Sequence, residues 1–545
     1  MELASAAVAE RERSLSQLIK DLVAEIQPLH LLHNEAVWKA NTTGDARHVE
    51  EGARLETQIR TVFSRPHPYR RLRALAEGGG ADDPLLQRQL TLLLNDYRAH
   101  QIPPARIEAM VRLEKSLEDG FNRHRATLDG GEVSDNQLRE ILHRSDDVGL
   151  RRRAWEAAKQ IGARVSEDLL GLVRLRNHAA RDIGFVNYYS MMLELDEIDE
   201  AELFRLLDEL DQGTRPLFRR YKGELDLRLS RRFGCAPEEL RPWHYADPFF
   251  QEAPAADAVL DRVFEDQSLE GLATRFFGEL GFSIDDVLGR SDLYERPGKS
   301  QHAFCISMDR GADVRVLCNL RPNEYWMGTL LHECGHAVFD QGIDRELPYL
   351  LRVPAHILVT EASAMLFGRL SRNAGWLARY VGMPAHEAAA ATLQLTQATR
   401  AQLLVQTRWC LVMCHMERAL YRDPDQDLSS LWWELVEQFQ QVRSPEGRSA
   451  PDWASKIHFS VAPVYYQNYM LGEMMASQLQ AHLLDEVLGG PDRWERYVRE
   501  PAVGEFLRAR LYRPGKSVDW QGTIRAATGR PLGPSAFVED LASIQ

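Results

Sequence analysis

The chain has 545 residues, 44% hydrophobic and 27% charged, an ordinary balance for a globular protein with a large core. Its formal net charge of -14 argues against nucleic acid or an anionic membrane as the main partner. No apolar run reaches membrane-spanning length, so a membrane partner is not expected either.

The opening stretch, MELASAAVAERERSLSQL, has an acidic second residue, no basic start and charges that interrupt its small apolar run, so it does not read as a secretory signal. Six cysteines, scattered at 235, 305, 318, 334, 410 and 414, fit reduced thiols, and a cytoplasmic location is expected. Gly78-Gly79-Gly80 and Gly130-Gly131 punctuate an N-terminal helical region rather than join independent domains. Ser134-Asp135-Asn136-Gln137 forms a capping box before REILHRSDD. The long pattern EAELFRLLDELDQGTRPLFRRYKGELDLRLSRRF places apolar residues three and four apart with solvated charges between them, which predicts a helix.

HAFCISMD (302–309) and DVRVLCNL (313–320) are short β-prone runs separated by Arg310-Gly311-Ala312, and they predict a small antiparallel hairpin. Asn323 then caps a helix, near 323–341, that is apolar at Trp326, Met327, Leu330, Leu331, Cys334 and Val338. This helix carries His332-Glu333-Cys334-Gly335-His336. Residues four apart on a helix lie on one face, so both imidazoles reach one metal ion while Glu333 points at the neighbouring position. That is the arrangement in which two histidines hold Zn²⁺ and a glutamate takes a proton from water. With 17 histidines in the chain, chance supplies ~0.04 such motifs.

A catalytic zinc takes three protein ligands, so a third is needed. The metzincin pattern is excluded, because Phe339 and Gly342 stand where that class needs Gly and His. Asp340, Asp344 and Glu346 crowd the end of the motif's own helix. Glu361, in HILVTEASAMLFGRL, sits instead on a second apolar helical segment, where a carboxylate needs a cation to justify burial. His332, His336 and Glu361 are therefore the expected ligands of one Zn²⁺. Further on, KIHFSVAPVYYQNYMLGEMM places Lys456 and His458 on one side of an extended stretch, and Tyr466 and Tyr469 on one face of the helix that follows. Donors converge there, although a Tyr-rich amphipathic helix also serves as ordinary core.

The pair HECGH and TEASAM resembles the gluzincin peptidases of the M2 and M3 families, the angiotensin-converting-enzyme-like and thimet-oligopeptidase-like groups. AVWKANTTGD (36–45) is similar to an early M2 segment, and LRNHAARDIGFVNYYSMML (175–193) to a helix pair of both groups. The closing YRPGKSVDWQGTIRAATGRPLGPSAFVEDL resembles the end of M3 enzymes. The resemblance implies a mainly α fold, one large two-lobed helical unit (1–545) around a deep cleft. Residues 1–130 would form a lid region and 131–545 the catalytic body, with the small β element beside the zinc helix. It implies hydrolysis of short or unfolded peptides, with Glu333 as general base and Tyr469 and His458 donating to the oxyanion. Lys456, Tyr466 and Gln251 would bind the substrate's C-terminal carboxylate. Two positions depart from the M2 pattern. Asn468 replaces an arginine linked to chloride binding, and Met365 replaces an aspartate that orients a zinc ligand. Three readings follow: release of C-terminal dipeptides, an M3-like oligoendopeptidase, or a peptide-binding relative that no longer hydrolyses.

Overall fold

A computed structural model describes residues 2–253, 260–490 and 494–542. The protein is mainly α, with two small antiparallel two-stranded sheets among the described residues. Among the described residues no helix is long and apolar enough to cross a membrane. The chain divides into two compact units, each assembled from separated stretches. The first unit holds Met1–Gln101, Asp257–Leu395 and Leu471–Ala536; the second holds Ile102–Ala256, Thr396–Met470 and Phe537–Gln545.

In the first unit, Glu2–Thr43 and Ala46–Phe63 form a helical pair. Gly44 (φ +69°) turns the chain, and the Asp45 side chain caps the second helix by accepting from the Arg47 N–H. Glycine is required here for a second reason: a Cβ on Gly44 would lie 2.2 Å from the Gly298 carbonyl oxygen. This close approach docks the end of the first helix on the loop before the hairpin. Arg296 donates to the Thr42 carbonyl at 2.7 Å, and the Ser300 N–H donates to Asn41 at 2.8 Å. The 36–45 segment is thus a structural latch, and Trp38 packs edge-on against Phe304 of the hairpin.

The expected hairpin is present as Phe304–Ser307 paired antiparallel with Val314–Leu317, Phe304 facing Leu317 and Ser307 facing Val314. Arg310 (φ +55°) makes the turn, and Asp309 accepts the Gly311 and Asp313 N–H groups. Val314, Val316 and Leu317 are fully buried, as a strand laid on helices requires. The predicted helix runs Glu324–Gly342, with the Asn323 side chain accepting from the Trp326 N–H. Beside it lies Ile357–Gly368. The two helices approach through Gly335, where a Cβ would meet Ala364 Cα at 2.8 Å and the Phe367 ring at 2.9 Å. The C-terminal stretch covers the same helices. Tyr512 packs on Phe339 at 4.7 Å between ring centroids and shares a 2.8 Å hydrogen bond with Ser363.

The second unit is a set of helices that includes Pro104–Arg123, Gln160–Asp182, Tyr188–Leu195 and Glu200–Phe233. The capping box at Ser134 is formed, with the Gln137 side chain returning to the Ser134 N–H. Part of the helix Ala385–Arg422 completes this unit, and Arg408 on it makes a buried ion pair with Asp211. One expectation is corrected. Lys456 is extended, but His458 opens a helical turn, His458–Val461, because Ile457 adopts helical dihedrals. Among the described residues no strand pairs with this stretch, and the turn supplies its own bonds, the Ser460 and Val461 N–H groups donating to the Ile457 carbonyl. Tyr466 also lies one residue before its helix, Gln467–His482, rather than within it.

The contact through Gly335 yields a prediction. Gly335→Ala places a methyl inside van der Waals contact of two helices and should destabilise the protein by about 1–3 kcal/mol. Chemical denaturation of variant and parent measures it.

Candidate metal centre

The metal helix presents His332 and His336 one turn apart, and the neighbouring helix presents Glu361 to the same point. The imidazole Nε2 atoms are 3.3 Å apart; His332 Nε2 lies 3.5 Å from one Glu361 oxygen and His336 Nε2 3.9 Å from the other. Ligands on a tetrahedral zinc with bonds of ~2.0–2.2 Å stand ~3.3–3.5 Å apart, so this donor set fits that ion with little adjustment. Among the described residues these three form the one cluster of His, Cys, Asp and Glu close enough to hold a metal. Glu361 and His332 keep 30% and 29% side-chain exposure, which leaves the site open on one side, as a catalytic position needs.

Electrostatics favour the ligating forms. Burial lowers His332 to about 4, and burial with the neighbouring His332 lowers His336 to about 3, so both imidazoles are neutral at ordinary pH. Burial, reinforced by Glu473, raises the Glu361 carboxyl. Glu333 is raised to about 8 by burial and then by Glu361, with a Cys305 backbone hydrogen bond opposing. A divalent cation at the cluster favours the carboxylate forms of both glutamates.

Sequence reasoning missed the group that orients His336. Its Nδ1 lies 2.7 Å from Thr360 Oγ1, so with Nε2 kept for a metal, Nδ1–H donates to the hydroxyl and fixes the tautomer. Met365, four residues after Glu361, carries no hydrogen-bonding oxygen for this purpose. The position of Thr360 beside Glu361 was the available signal. Gly472 lets the Gln467–His482 helix come close, since a Cβ there would meet Met365 at 3.6 Å and Glu361 Cβ at 3.7 Å.

The second unit holds a cavity of about 310 Å³ lined by Gln251, Lys456, His458, Tyr466 and Tyr469, together with Trp409, Cys410, Gln402, Gln406 and Glu252. All five residues singled out in the sequence besides the metal cluster and its glutamate therefore meet at one place. Lys456 Nζ donates to Gln251 Oε1 at 2.7 Å and sits 5.1 Å from the ring centres of Phe249 and Trp409. Burial lowers Lys456 to about 8, leaving it mostly cationic at neutral pH. His458 is lowered to about 4 by burial and by the Lys456 charge, so its ring is neutral. Trp409 Nε1–H donates to the Tyr466 hydroxyl at 3.3 Å, and the Tyr466 ring lies 5.0 Å from His458 and 5.6 Å from Tyr469. Gln251 owes its place to Asp247, which is buried and accepts the N–H groups of Phe249, Gln251 and Glu252. Nothing in the sequence marked Asp247, because an Asp-Pro pair reads only as a turn.

Thr360→Val should keep the fold but weaken zinc binding roughly 10–100-fold, the usual cost of removing a partner behind a ligating histidine. Competition with a coloured chelator measures it, with His336→Ala as the variant that loses stoichiometric metal.

Two family models match the chain. Carboxypeptidase Taq (M32) metallopeptidase covers residues 216–371, which include the metal helix and Glu361. Angiotensin-converting enzyme, peptidase M2, covers residues 9–241, which include the latch segment and the 175–193 helix pair. The M32 family is one that the sequence resemblance did not name, and Lys456 to Tyr469 lie outside both matched stretches. Carboxypeptidase 1 of Bacillus subtilis (strain 168) is 24% identical over 309 residues, 52% of this chain. The chain spans 59% of the length of that curated relative. The two matches and the His332–His336–Glu361 cluster support a gluzincin-type zinc metallopeptidase.

Proposed function

We propose that this protein is a zinc carboxypeptidase that shortens peptides from a free C-terminus. The observation that carries the reading is Glu333 held beside a His, His, Glu set of zinc-compatible geometry. The carboxypeptidase preference draws on the M32 match, on Carboxypeptidase 1 and on the half-buried Lys456–Gln251 pair, an ammonium and an amide suited to a carboxylate.

His332, His336 and Glu361 would hold one Zn²⁺, which would supply Lewis acidity to water and to a carbonyl. Glu333 accepts the proton of the attacking water at its carboxylate and later delivers it to the leaving amine. Tyr469 through its hydroxyl and His458 through its N–H take the role of donors to the developing oxyanion. Lys456, Gln251 and Tyr466 hold the terminal carboxylate and so set where the chain is cut. Whether one residue or a dipeptide leaves depends on how far this anchor stands from the scissile bond. Short or unfolded peptides are the substrates, and the protein works in the cytoplasm. The oligoendopeptidase reading draws on the M3-like closing segment alone.

Digestion of a mixed peptide library with and without chelator, read by mass spectrometry, tests the assignment. Cuts should depend on metal, fall at a fixed distance from the C-terminus and vanish when that terminus is amidated. Internal cuts that survive amidation would replace the reading with endopeptidase action. Glu333→Gln should retain zinc and lose about 10²–10⁴-fold in kcat. Equal activity of that variant and the parent would remove Glu333 from the chemistry.

A pH effect follows from Lys456. Its ammonium is charged below a pKa of about 8 and neutral above it, so kcat/KM on free-carboxylate peptides should fall as pH rises through 8. Lys456→Met should raise KM by roughly 10–100-fold, the worth of a charged hydrogen bond, and abolish that alkaline limb.

A further inference from the structure

Between His458 and Tyr466 the chain makes a turn that no side chain named so far explains. Val464 sits at φ +57°, a left-handed conformation that a β-branched residue avoids. Such strain persists only where the surroundings over-determine it. Both of its peptide groups are held by buried side chains. Glu417 accepts the Val464 N–H at 2.9 Å, and Gln467 Nε2 donates to the Val464 carbonyl at 2.6 Å. Glu417 is 2% exposed and Gln467 1%. Upstream, the guanidinium of Arg176, also buried, donates to the carbonyls of Phe459 and Ser460 in the turn that begins at His458. Arg176 is anchored in turn by the Tyr421 hydroxyl and by Glu114.

Glu417 lies on the Ala385–Arg422 helix two turns beyond Trp409 and Cys410, which line the cavity. One helix therefore supplies a cavity wall and the clamp on the strained turn. An apolar residue would be cheaper at this fully buried position. Burial raises the Glu417 carboxyl to about 8, so at neutral pH it is mostly the neutral acid, whose carbonyl oxygen still accepts the Val464 N–H.

We propose that Glu417 is a positioning residue for the peptidase reaction: by holding Val464 left-handed it turns the chain so that His458, Tyr466 and Tyr469 face one cavity. The proposal rests on the reading of the protein as a metallopeptidase. Glu417 acts through the backbone of Val464 and touches no substrate.

The test uses the full-length zinc-loaded protein with Glu417→Gln, Glu417→Leu, Val464→Gly and the Glu417→Leu/Val464→Gly double variant. Kinetics on a C-terminally free peptide are combined with zinc content and with deuterium exchange across residues 458–469. Glu417→Gln keeps an acceptor oxygen and should stay within about threefold of the parent. Glu417→Leu should lose about 100-fold in kcat at unchanged zinc content, the effect of an ångström-scale misplacement, with faster exchange across 458–469 but not across the metal helix. Val464→Gly should restore at least about fivefold of that loss, because glycine occupies the left-handed region without strain. A purely structural role would move stability without this rescue.

Unchanged exchange across 458–469 in Glu417→Leu, or a folded double variant no more active than Glu417→Leu alone, overturns the proposal. If Glu417→Leu does not fold, exchange in the parent decides: a Val464 amide as fast as an exposed loop overturns it, and a protected one supports it. Absence of zinc-dependent hydrolysis in the parent overturns the peptidase reading instead, and the exchange data separate the two failures.

Discussion

Everything at the metal centre depends on how closely two apolar helices approach. Glu324–Gly342 carries two imidazoles, and Ile357–Gly368 carries the carboxylate that must meet them. Side chains of this length converge on a single ion only if the helix backbones are near contact. Gly335 permits that, since the space its missing Cβ would fill is occupied by Ala364 and Phe367. Gly368 does the same on the other side, where a Cβ would press on His332 at 3.2 Å. The glycines thus set the ligand spacing that the electrostatics then exploit.

Four polar side chains placed in these cores follow one rule in both units. Each is paired with a backbone group or a partner that fixes its direction: Thr360 behind His336, Asp247 beneath Gln251, and Arg176 and Glu417 around the turn after His458. The charge they present differs between the units. The metal centre gathers Glu333 and Glu361, both raised toward the protonated form and ready for a cation. The cavity gathers Lys456 with neutral His458 and the tyrosines, beside the carboxylate of Glu252.

What the sequence disclosed follows the range of the interaction. Asn323, the hairpin residues and the His332/His336 spacing obey local rules and are written within a few positions of one another. Glu361 was legible because a carboxylate in the apolar run HILVTEASAMLFGRL is costly unless something compensates it. Thr360, Asp247 and Glu417 were not, since a threonine, an Asp-Pro turn and a helical glutamate carry no local sign of what they touch. The helical turn at His458 leaves no local sign for the same reason: its carbonyls are claimed by Arg176, almost three hundred residues earlier. The threefold interleaving of the two units also left no mark in composition or linkers.

That interleaving has a consequence for how the protein reaches its native state. The three candidate metal ligands fall within thirty positions of one another, in the middle stretch of the first unit. The helix that bears two of them is backed by Tyr512 from the last stretch and faces the hairpin latched by residues 41–44 from the first. During synthesis the ligands therefore emerge well before their support is complete. Closure depends on contacts separated by hundreds of residues, whose loop-closure entropy opposes it. A nascent chain would present this candidate metal site early, but in a rigid frame only once the helices around Tyr512 have docked.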